Sequence, residues 1–158
     1  MIKYLQPTTV DEKMKLMEFV YDNTDSFILN TFGYLWESRL WWQTQPIQVF
    51  IVNGKIVGLH AFSVNTKGSS TLKTYYIITS KDYRKQGIAK KLILKALKDY
   101  KDKSDNYFVN SEQDSDGKDF FIKLFNHQYV LNANEFGTFD FEFEQSIDNL
   151  LKNAKQKI

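Results

Sequence analysis

Apolar residues occur in short or alternating runs that predict strands in seven parts of the chain. These runs cover residues 2–5, 47–52, 55–64, 71–79, 106–110, 128–131 and 136–144. The second and third runs are separated only by Asn53-Gly54, a dipeptide that is typical of a type I′ hairpin turn. In the last run, Phe139, Phe141 and Phe143 alternate with acidic residues, as expected of a strand that buries one face.

Apolar residues that recur every three or four positions predict helices between these strands. The predicted helices cover residues 10–22, 25–44, 87–100 and about 114–126, with a short one in the tail from residue 146. The second is a broken helix, and its best-formed part is residues 35–42. Thr9 and Glu12 form a capping box in front of the first helix. In the helix at 87–100, lysines lie opposite an apolar stripe of Ile88, Leu92, Ala96 and Leu97.

The order of these elements predicts a mixed α+β fold around a central sheet. The strand–helix–strand unit at 71–110 implies two parallel strands joined by a crossover helix, whereas the hairpins imply antiparallel pairing elsewhere. The chain has 158 residues and shows neither a linker nor a repeat. We therefore predict a single domain that covers residues 1–158.

Composition narrows the classes of protein that the chain can represent. Cysteine is absent, which excludes disulfides, iron–sulfur clusters and cysteine nucleophiles. The histidines are His60 and His127 alone, so we predict no metal site. No apolar run reaches the roughly 20 residues of a membrane span, and the first residues carry no apolar signal stretch. We therefore expect a cytoplasmic protein without a membrane partner.

Positive charge is concentrated in one segment, residues 81–103. This segment contains nine cations and three acids, so it carries a net charge of +6 while the rest of the chain carries −4. A basic block in an otherwise acidic chain suits a ligand that bears phosphates, although lysines on a solvated helix face would produce the same charge. The net charge of the whole chain is only +2, and no recognition-helix motif is present, so nucleic acid is not a predicted partner.

The turn between the strand that ends at Thr79 and the helix that begins at Gly87 has the composition of an anion site. Backbone N–H groups at a helix N-terminus point outward without partners, and the helix dipole adds partial positive charge. The spacing Arg84-x-x-Gly87-x-Ala89 places small residues where a phosphate would approach the backbone. Mobile cations surround this turn: Arg84, Lys85, Lys90 and Lys91. Alternatively, Gly87 only ends the turn and Ala89 is a packing residue.

This turn resembles the signature of the GNAT superfamily of N-acetyltransferases, Q/R-x-x-G-x-G/A, at the junction of a strand and a helix. The preceding Ser-Lys-Asp-Tyr-Arg, residues 80–84, is similar to the approach that the family uses, with Lys81 where proline is frequent. The resemblance is strongest over residues 70–100, and the order of elements agrees over 1–144. It implies a mostly antiparallel sheet of about seven strands, with one splayed parallel pair and about four to five flanking helices.

The resemblance also implies a co-substrate, acetyl-CoA, held where the strands at 71–79 and 106–110 splay apart. The strand backbone from Ile77 to Thr79 would pair with the pantetheine arm, and the turn from Arg84 to Lys90 would hold the pyrophosphate. No metal is implied. The complete implied cofactor-binding set is Ile77, Ile78, Thr79, Arg84, Lys85, Gln86, Gly87, Ile88, Ala89, Lys90, Asn110 and Phe121.

The chemistry that the resemblance implies is direct attack of a neutral amine on the thioester, so a base or a water chain must remove a proton. A backbone N–H near Ile78 would stabilise the oxyanion. The strand at 71–79 lacks the carboxylate base of many relatives, which leaves His60 and Glu112 as candidate bases. Each also has a structural interpretation, His60 as a strand residue hydrogen-bonded in the sheet and Glu112 as a solvated loop acid.

The chain also differs from the family at the residue that would protonate the thiolate leaving group. Phe121 stands where relatives often carry a tyrosine, and phenylalanine has no proton to donate. Tyr129 is the candidate substitute, with Tyr75, Tyr76 or solvent as alternatives.

The resemblance therefore predicts an acetyl-CoA-dependent N-acetyltransferase that acts on a primary amine of a small molecule or peptide. The alternative is a catalytically weak or inactive acetyl-CoA-binding or protein-interaction module on the same fold. An aromatic cluster in residues 27–42 either lines a slot for the acceptor or forms core and a homodimer surface. Its members are Phe27, Phe32, Tyr34, Trp36, Trp41 and Trp42.

Overall fold

The computed structural model describes residues 1–5, 9–23, 47–65, 70–113, 130–133 and 139–156. Side chains are described within residues 1–5, 9, 11–23, 47–64, 70–109 and 144–152. The predicted helices at 25–44 and 114–126 lie outside the described residues, as does the aromatic cluster.

The described elements confirm the predicted order and most predicted boundaries. In chain order they are β1 (Ile2–Leu5), α1 (Val10–Asn23), β2 (Ile47–Val52), β3 (Lys55–Asn65), β4 (Thr71–Thr79), a 3₁₀ turn (Lys81–Tyr83), α2 (Ile88–Tyr100), β5 (Asn106–Gln113), β6 (Val130–Ala133), β7 (Phe139–Ser146) and α3 (Ile147–Gln156). Among the described residues, β5 runs three residues further than predicted, and β6 and β7 each end two residues later than predicted. The predicted starts of β6 and β7 lie outside the described residues.

The strands form one mixed sheet in the order β1-β2-β3-β4-β5-β7-β6. Within it, β4 and β5 are parallel, and α2 is the crossover between them. Their described register runs from Thr71 opposite Asn106 to Thr74 opposite Val109. The ladder ends at this pair although β4 continues to Thr79 and β5 to Gln113. The prediction of a mostly antiparallel sheet of about seven strands with one parallel pair is therefore confirmed.

The chain groups into two compact units, and the prediction of one domain remains a prediction. The first unit comprises Met1–Phe62 and Tyr76–Ile93. Its main core cluster joins α1 to β2, β3 and β4, and its buried members are Leu16, Phe19, Val20, Ile47, Val49, Leu59, Ala61 and Ile78. A second cluster joins Val57 of β3 to Ile88 and Leu92 of α2.

The second unit comprises Ser63–Tyr75 and Leu94–Ile158. Tyr107 of β5 is fully buried there, and its hydroxyl lies 2.7 Å from the Thr74 hydroxyl of β4. Burial raises the pKa of Tyr107, which keeps this phenol protonated in the folded chain. At α3, the Asn149 N–H donates to the Ser146 hydroxyl at 3.4 Å. Ser146 therefore caps the helix that was predicted for the tail.

The predicted N-cap of α1 and the predicted hairpin turn are both present, although the N-cap differs from a capping box in one hydrogen bond. At the start of α1, the Glu12 N–H donates to the Thr9 hydroxyl at 3.2 Å, and that hydroxyl donates to the Glu12 carboxylate at 2.8 Å. Thr9 therefore caps α1, with its hydroxyl rather than its backbone N–H serving the Glu12 carboxylate. Between β2 and β3, Asn53 and Gly54 have φ of 52° and 76°, the two left-handed residues that a type I′ turn requires.

Strand β3 contains a bulge at Val57, a residue that packs against α2. Phe50 of β2 lies opposite Gly58, but Ile51 lies opposite Ile56, so Val57 is the extra residue. The bulge places Val57 in the cluster with α2, whereas Ile56 packs against the main core.

Gly58→Ala is expected to destabilise the protein by about 1–3 kcal/mol, because it would overpack the contact between β3 and α2. A Cβ atom at Gly58 would lie 2.6 Å from the Ile88 Cγ2 and 3.2 Å from the Leu92 Cδ1. Thermal unfolding measures the loss. Ile88→Ala removes the nearest methyl group, so the same glycine substitution should cost clearly less in that background. Equal costs in the two backgrounds would contradict this account.

Candidate functional site

The turn after β4 is fixed to the first unit at its base. The Ser80 N–H donates to the Val57 carbonyl in the β3 bulge at 2.8 Å. The next amide, of Lys81, donates to the Asn23 side-chain oxygen at the end of α1 at 3.1 Å. The Tyr83 N–H then closes the 3₁₀ turn on the Ser80 carbonyl at 2.9 Å. Two consecutive amides are therefore held by β3 and by α1.

The tip of the turn has an unusual backbone. Arg84 is extended, with φ −68° and ψ 156°, whereas Lys85 and Gly87 have φ of 64° and 78°. Glycine adopts the left-handed region freely, but a lysine there costs on the order of 1 kcal/mol. Left-handed residues in a tight turn direct successive N–H groups into one concavity, which is a known way to bind anions.

The start of α2 leaves backbone donors available at this tip. The first described helical bond runs from the Lys91 N–H to the Gly87 carbonyl at 3.0 Å, so Gly87 is the N-cap residue. Within the described part of the chain, the N–H groups of Ile88, Ala89 and Lys90 have no hydrogen-bond acceptor. A Cβ atom at Gly87 would meet no atom within 4 Å, so the space above these donors is open.

The side chains around the turn divide into two groups. Those of Arg84, Lys85, Gln86 and Lys90 are exposed and bring three positive charges. Ile88, in contrast, is 4% exposed and packs into the cluster with Val57, so only its backbone faces the turn. Exposed cations, open amides and the positive end of the α2 dipole thus coincide, which is an arrangement that attracts phosphate groups.

The carboxyl half of β4 offers backbone rather than side chains to a ligand. Ile77 packs against the α2 cluster, and Ile78 is 6% exposed in the main core. Thr79 is half-buried. Because the described ladder with β5 ends at Thr74, the backbone of residues 75–79 extends past that pairing.

His60 lies in a row of polar side chains across three strands, in which His60 and Gln48 are buried and Tyr4 is exposed. Tyr4 is in register with Gln48, and Gln48 with His60. The Gln48 side-chain nitrogen donates to the Tyr4 hydroxyl at 3.1 Å, and its oxygen lies 2.7 Å from the His60 Nδ1. With the glutamine amide in this orientation, Nδ1 carries the proton and donates to Gln48.

The surroundings of His60 favour the structural interpretation. The side chain is fully buried and its ring stacks on Phe62, with centroids 4.8 Å apart. Burial lowers the pKa of His60 to about 3, so the imidazole is neutral at pH 7 and a weak acceptor of protons. A role for His60 as the base remains a prediction, as does that of Glu112. The structure describes the backbone of Glu112 on β5, opposite Asp140, but not its side chain.

The candidates for the proton donor are only partly described. Tyr129 and Phe121 lie outside the described residues. Tyr75 is 38% exposed, with the Lys73 ammonium 4.9 Å from the centre of its ring. Tyr76 packs against the main core. Asn110, in the implied cofactor set, is described only by its backbone, which lies opposite Glu142.

Three features of the turn were missed by the sequence analysis: the anchor at Asn23, the bulge at Val57 and the left-handed Lys85. Asparagine is common at helix ends, so Asn23 carried a weak signal that α1 ends there, but not what its side chain contacts. No residue preference points to a bulge at Val57, because valine is common in regular strands, or to a left-handed Lys85, because lysine rarely adopts that region.

Within the described residues, no cluster of three or more histidine or acidic side chains is placed to hold a metal ion. The described helices also include none with the length and apolar character that a membrane crossing needs.

Comparison with known proteins assigns a family to the part of the chain that contains the turn. Residues 16–123 match the acetyltransferase (GNAT) family, a range that includes β4, the turn and α2. No curated protein matches the sequence.

Solved structures resemble the fold at low sequence identity. The PaiA N-acetyltransferase from Thermoplasma acidophilum, in complex with coenzyme A, is 13% identical with a TM-score of 0.66, covering 92% of this chain and 99% of that one. The aminoglycoside 6′-N-acetyltransferase from Enterococcus faecium is 10% identical with a TM-score of 0.67, covering 93% and 97%. The ribosomal-protein-S18-alanine N-acetyltransferase from Escherichia coli is 11% identical with a TM-score of 0.65, covering 93% and 94%. These likenesses show a shared fold, and the match of residues 16–123 to the family model shows that the chain belongs to the GNAT family of acetyltransferases.

Proposed function

We propose that this protein is an acetyl-CoA-dependent N-acetyltransferase that transfers an acetyl group to a primary amine. The observation that carries the proposal is the turn between β4 and α2. Its left-handed Lys85 and Gly87 precede three amides that have no acceptor among the described residues, and exposed cations surround them. A similar structure in complex with coenzyme A supports the same class of ligand.

The proposed binding mode assigns a separate task to each part of this site. The amides of Ile88, Ala89 and Lys90 bind the pyrophosphate, and the side chains of Arg84 and Lys85 add charge-assisted contacts. The backbone of residues 77–79 pairs with the pantetheine arm, in the way that an added strand pairs with a sheet edge.

Acetyl-CoA supplies the thioester that a neutral amine attacks. As the C–N bond forms, the C–S bond breaks, and the coenzyme A thiolate leaves and takes up a proton from water. We assign the oxyanion contact to a backbone N–H near Ile78, because the side chains of Ile77 and Ile78 pack into two clusters that position this part of β4. We assign removal of the amine proton to water, since β4 carries no carboxylate and His60 is buried and neutral.

The acceptor is proposed only as a class, a primary amine of a small molecule or peptide. The similar structures include one enzyme named for aminoglycosides and another named for the alanine of ribosomal protein S18. Both kinds of amine are therefore used by proteins of this fold.

Acetyl-CoA at 100 times its Kd is expected to stabilise the protein by about 2.7 kcal/mol, which corresponds to a rise in Tm of roughly 5–10 °C. S-acetylpantetheine, which lacks the phosphates, is the matched control and should produce a much smaller rise at the same concentration. Absence of any shift with acetyl-CoA would contradict the proposal. An amine panel read out by thiol release then separates the two function classes, because binding without turnover on any amine would favour the non-catalytic alternative.

A further inference from the structure

The side chain of Asn23 joins the end of α1 to the start of the turn between β4 and α2. Its oxygen accepts the Lys81 N–H at 3.1 Å, and its nitrogen donates to the Phe19 carbonyl at 2.8 Å. Phe19 is 7% exposed and belongs to the main core, so this carbonyl is itself fixed. One amide group therefore connects the core helix to a backbone N–H in the turn.

The Asn23 contact lies at the base of the turn, close to the left-handed tip. Ser80, the residue before Lys81, is held by the Val57 carbonyl, and the left-handed Lys85 follows only four residues after Lys81. The strained tip is thus reached from a base that two different elements hold. Without the Asn23 contact, the Lys81 amide would lose its described acceptor. The base would then be joined to other elements by the described Ser80 hydrogen bond and by the packing of Tyr83 against the cluster of Val57, Ile88 and Leu92.

We propose that Asn23 is a positioning residue for coenzyme A: it holds the base of the turn so that the amides at its tip are arranged before the ligand arrives. This inference rests on the proposed function, because it assumes that the turn binds the cofactor. A preformed site binds more tightly than one that must be ordered on binding, since the entropy of ordering is not subtracted from the affinity. Asn23 touches no reacting group, so its effect should appear in binding and in the dynamics of the turn.

The test compares Asn23→Ala with Thr9→Ala. Both substitutions remove a polar contact at an end of α1, but Thr9 caps the opposite end and bonds to Glu12, not to the turn. The Kd for coenzyme A is measured by calorimetry on the full chain. Exchange of the Lys81 amide proton is followed by NMR without ligand, well below the Tm of either variant.

We expect Asn23→Ala to raise the Kd about 10-fold, equivalent to about 1.4 kcal/mol, and to speed exchange of the Lys81 amide at least as much. Thr9→Ala should lower the Tm while leaving both readouts at the values of the unmodified protein. Asn23→Asp keeps an acceptor oxygen for Lys81 but loses the donor to Phe19, so it should preserve most of the protection of the Lys81 amide.

Three outcomes would overturn the inference: an unchanged Kd in Asn23→Ala, equal changes in Asn23→Ala and Thr9→Ala, or exchange in Asn23→Asp as fast as in Asn23→Ala. Failure of the proposed function has a different signature. In that case the unmodified protein would not bind coenzyme A at all, whereas the exchange of Lys81 would still respond to Asn23.

Discussion

Gly87→Glu is expected to weaken the binding of coenzyme A by at least about 100-fold, since losing two charge-assisted hydrogen bonds costs roughly 3 kcal/mol or more. Gly87 precedes the three open amides of α2 and has φ of 78°. A glutamate there strains the backbone and places a carboxylate where the pyrophosphate is proposed to bind. That carboxylate would repel the phosphates and compete with them for the same N–H donors.

Gly54 provides a closely matched control for this substitution. It has φ of 76°, it is exposed, and a Cβ atom there would meet no atom within 4 Å, as at Gly87. Gly54→Glu therefore carries the same backbone strain and the same added charge, but in the β2–β3 hairpin. We expect both variants to lose similar stability and only Gly87→Glu to lose affinity, as measured by calorimetry. Equal affinities for the two variants would place the cofactor elsewhere.

Below pH 6.5, the free energy of unfolding is expected to fall by up to about 1.4 kcal/mol per pH unit because of His60 alone. Burial lowers the pKa of His60 from 6.5 to about 3 in the folded chain. Between these values the unfolded chain binds the proton and the folded chain does not, so acid favours unfolding. The contribution of His60 is complete above pH 6.5 and is lost progressively down to about pH 3. Urea denaturation at a series of pH values measures the slope.

His60→Asn isolates this contribution from that of the carboxylates, which also titrate in acid. Asparagine places an amide nitrogen near the position of Nδ1, so it preserves a donor to Gln48 but cannot be protonated in this range. The variant should be less stable at pH 7 yet show a shallower slope between pH 6.5 and 4. If the free energy of unfolding had the same pH dependence in His60→Asn and in the unmodified protein, His60 would take up its proton in the folded state. His60 would then again be a candidate base.

The candidate site shows where sequence reasoning succeeds and where it stops. The strand to Thr79, the polar turn and a helix from Gly87 follow from local patterns, and the structure confirms them with a helix that begins one residue later, at Ile88. The same patterns could not indicate that Lys85 is left-handed, because lysine rarely adopts that region. Nor could they distinguish the two interpretations of His60, since the pKa of a histidine depends on neighbours that are remote in sequence.

The sequence by itself determined the elements and their local ends. Thr9 caps α1, Asn53-Gly54 closes the first hairpin, and the apolar stripe of α2 faces inward. These outcomes depend on hydrogen bonds and backbone preferences within a few residues, so they are present in the one-dimensional pattern.

Only the tertiary structure decided which of those elements lie next to one another and which residues join them. It inserted β7 between β5 and β6, and it used Asn23 and the Val57 carbonyl to hold the turn. It also favours a glycine at position 58, because Ile88 and Leu92 of α2 lie close to β3 there. The pairing of β7 with β5, the two contacts that hold the turn and the contact at Gly58 each join residues that are more than 20 positions apart. Their energies depend on distances that only packing of the core establishes.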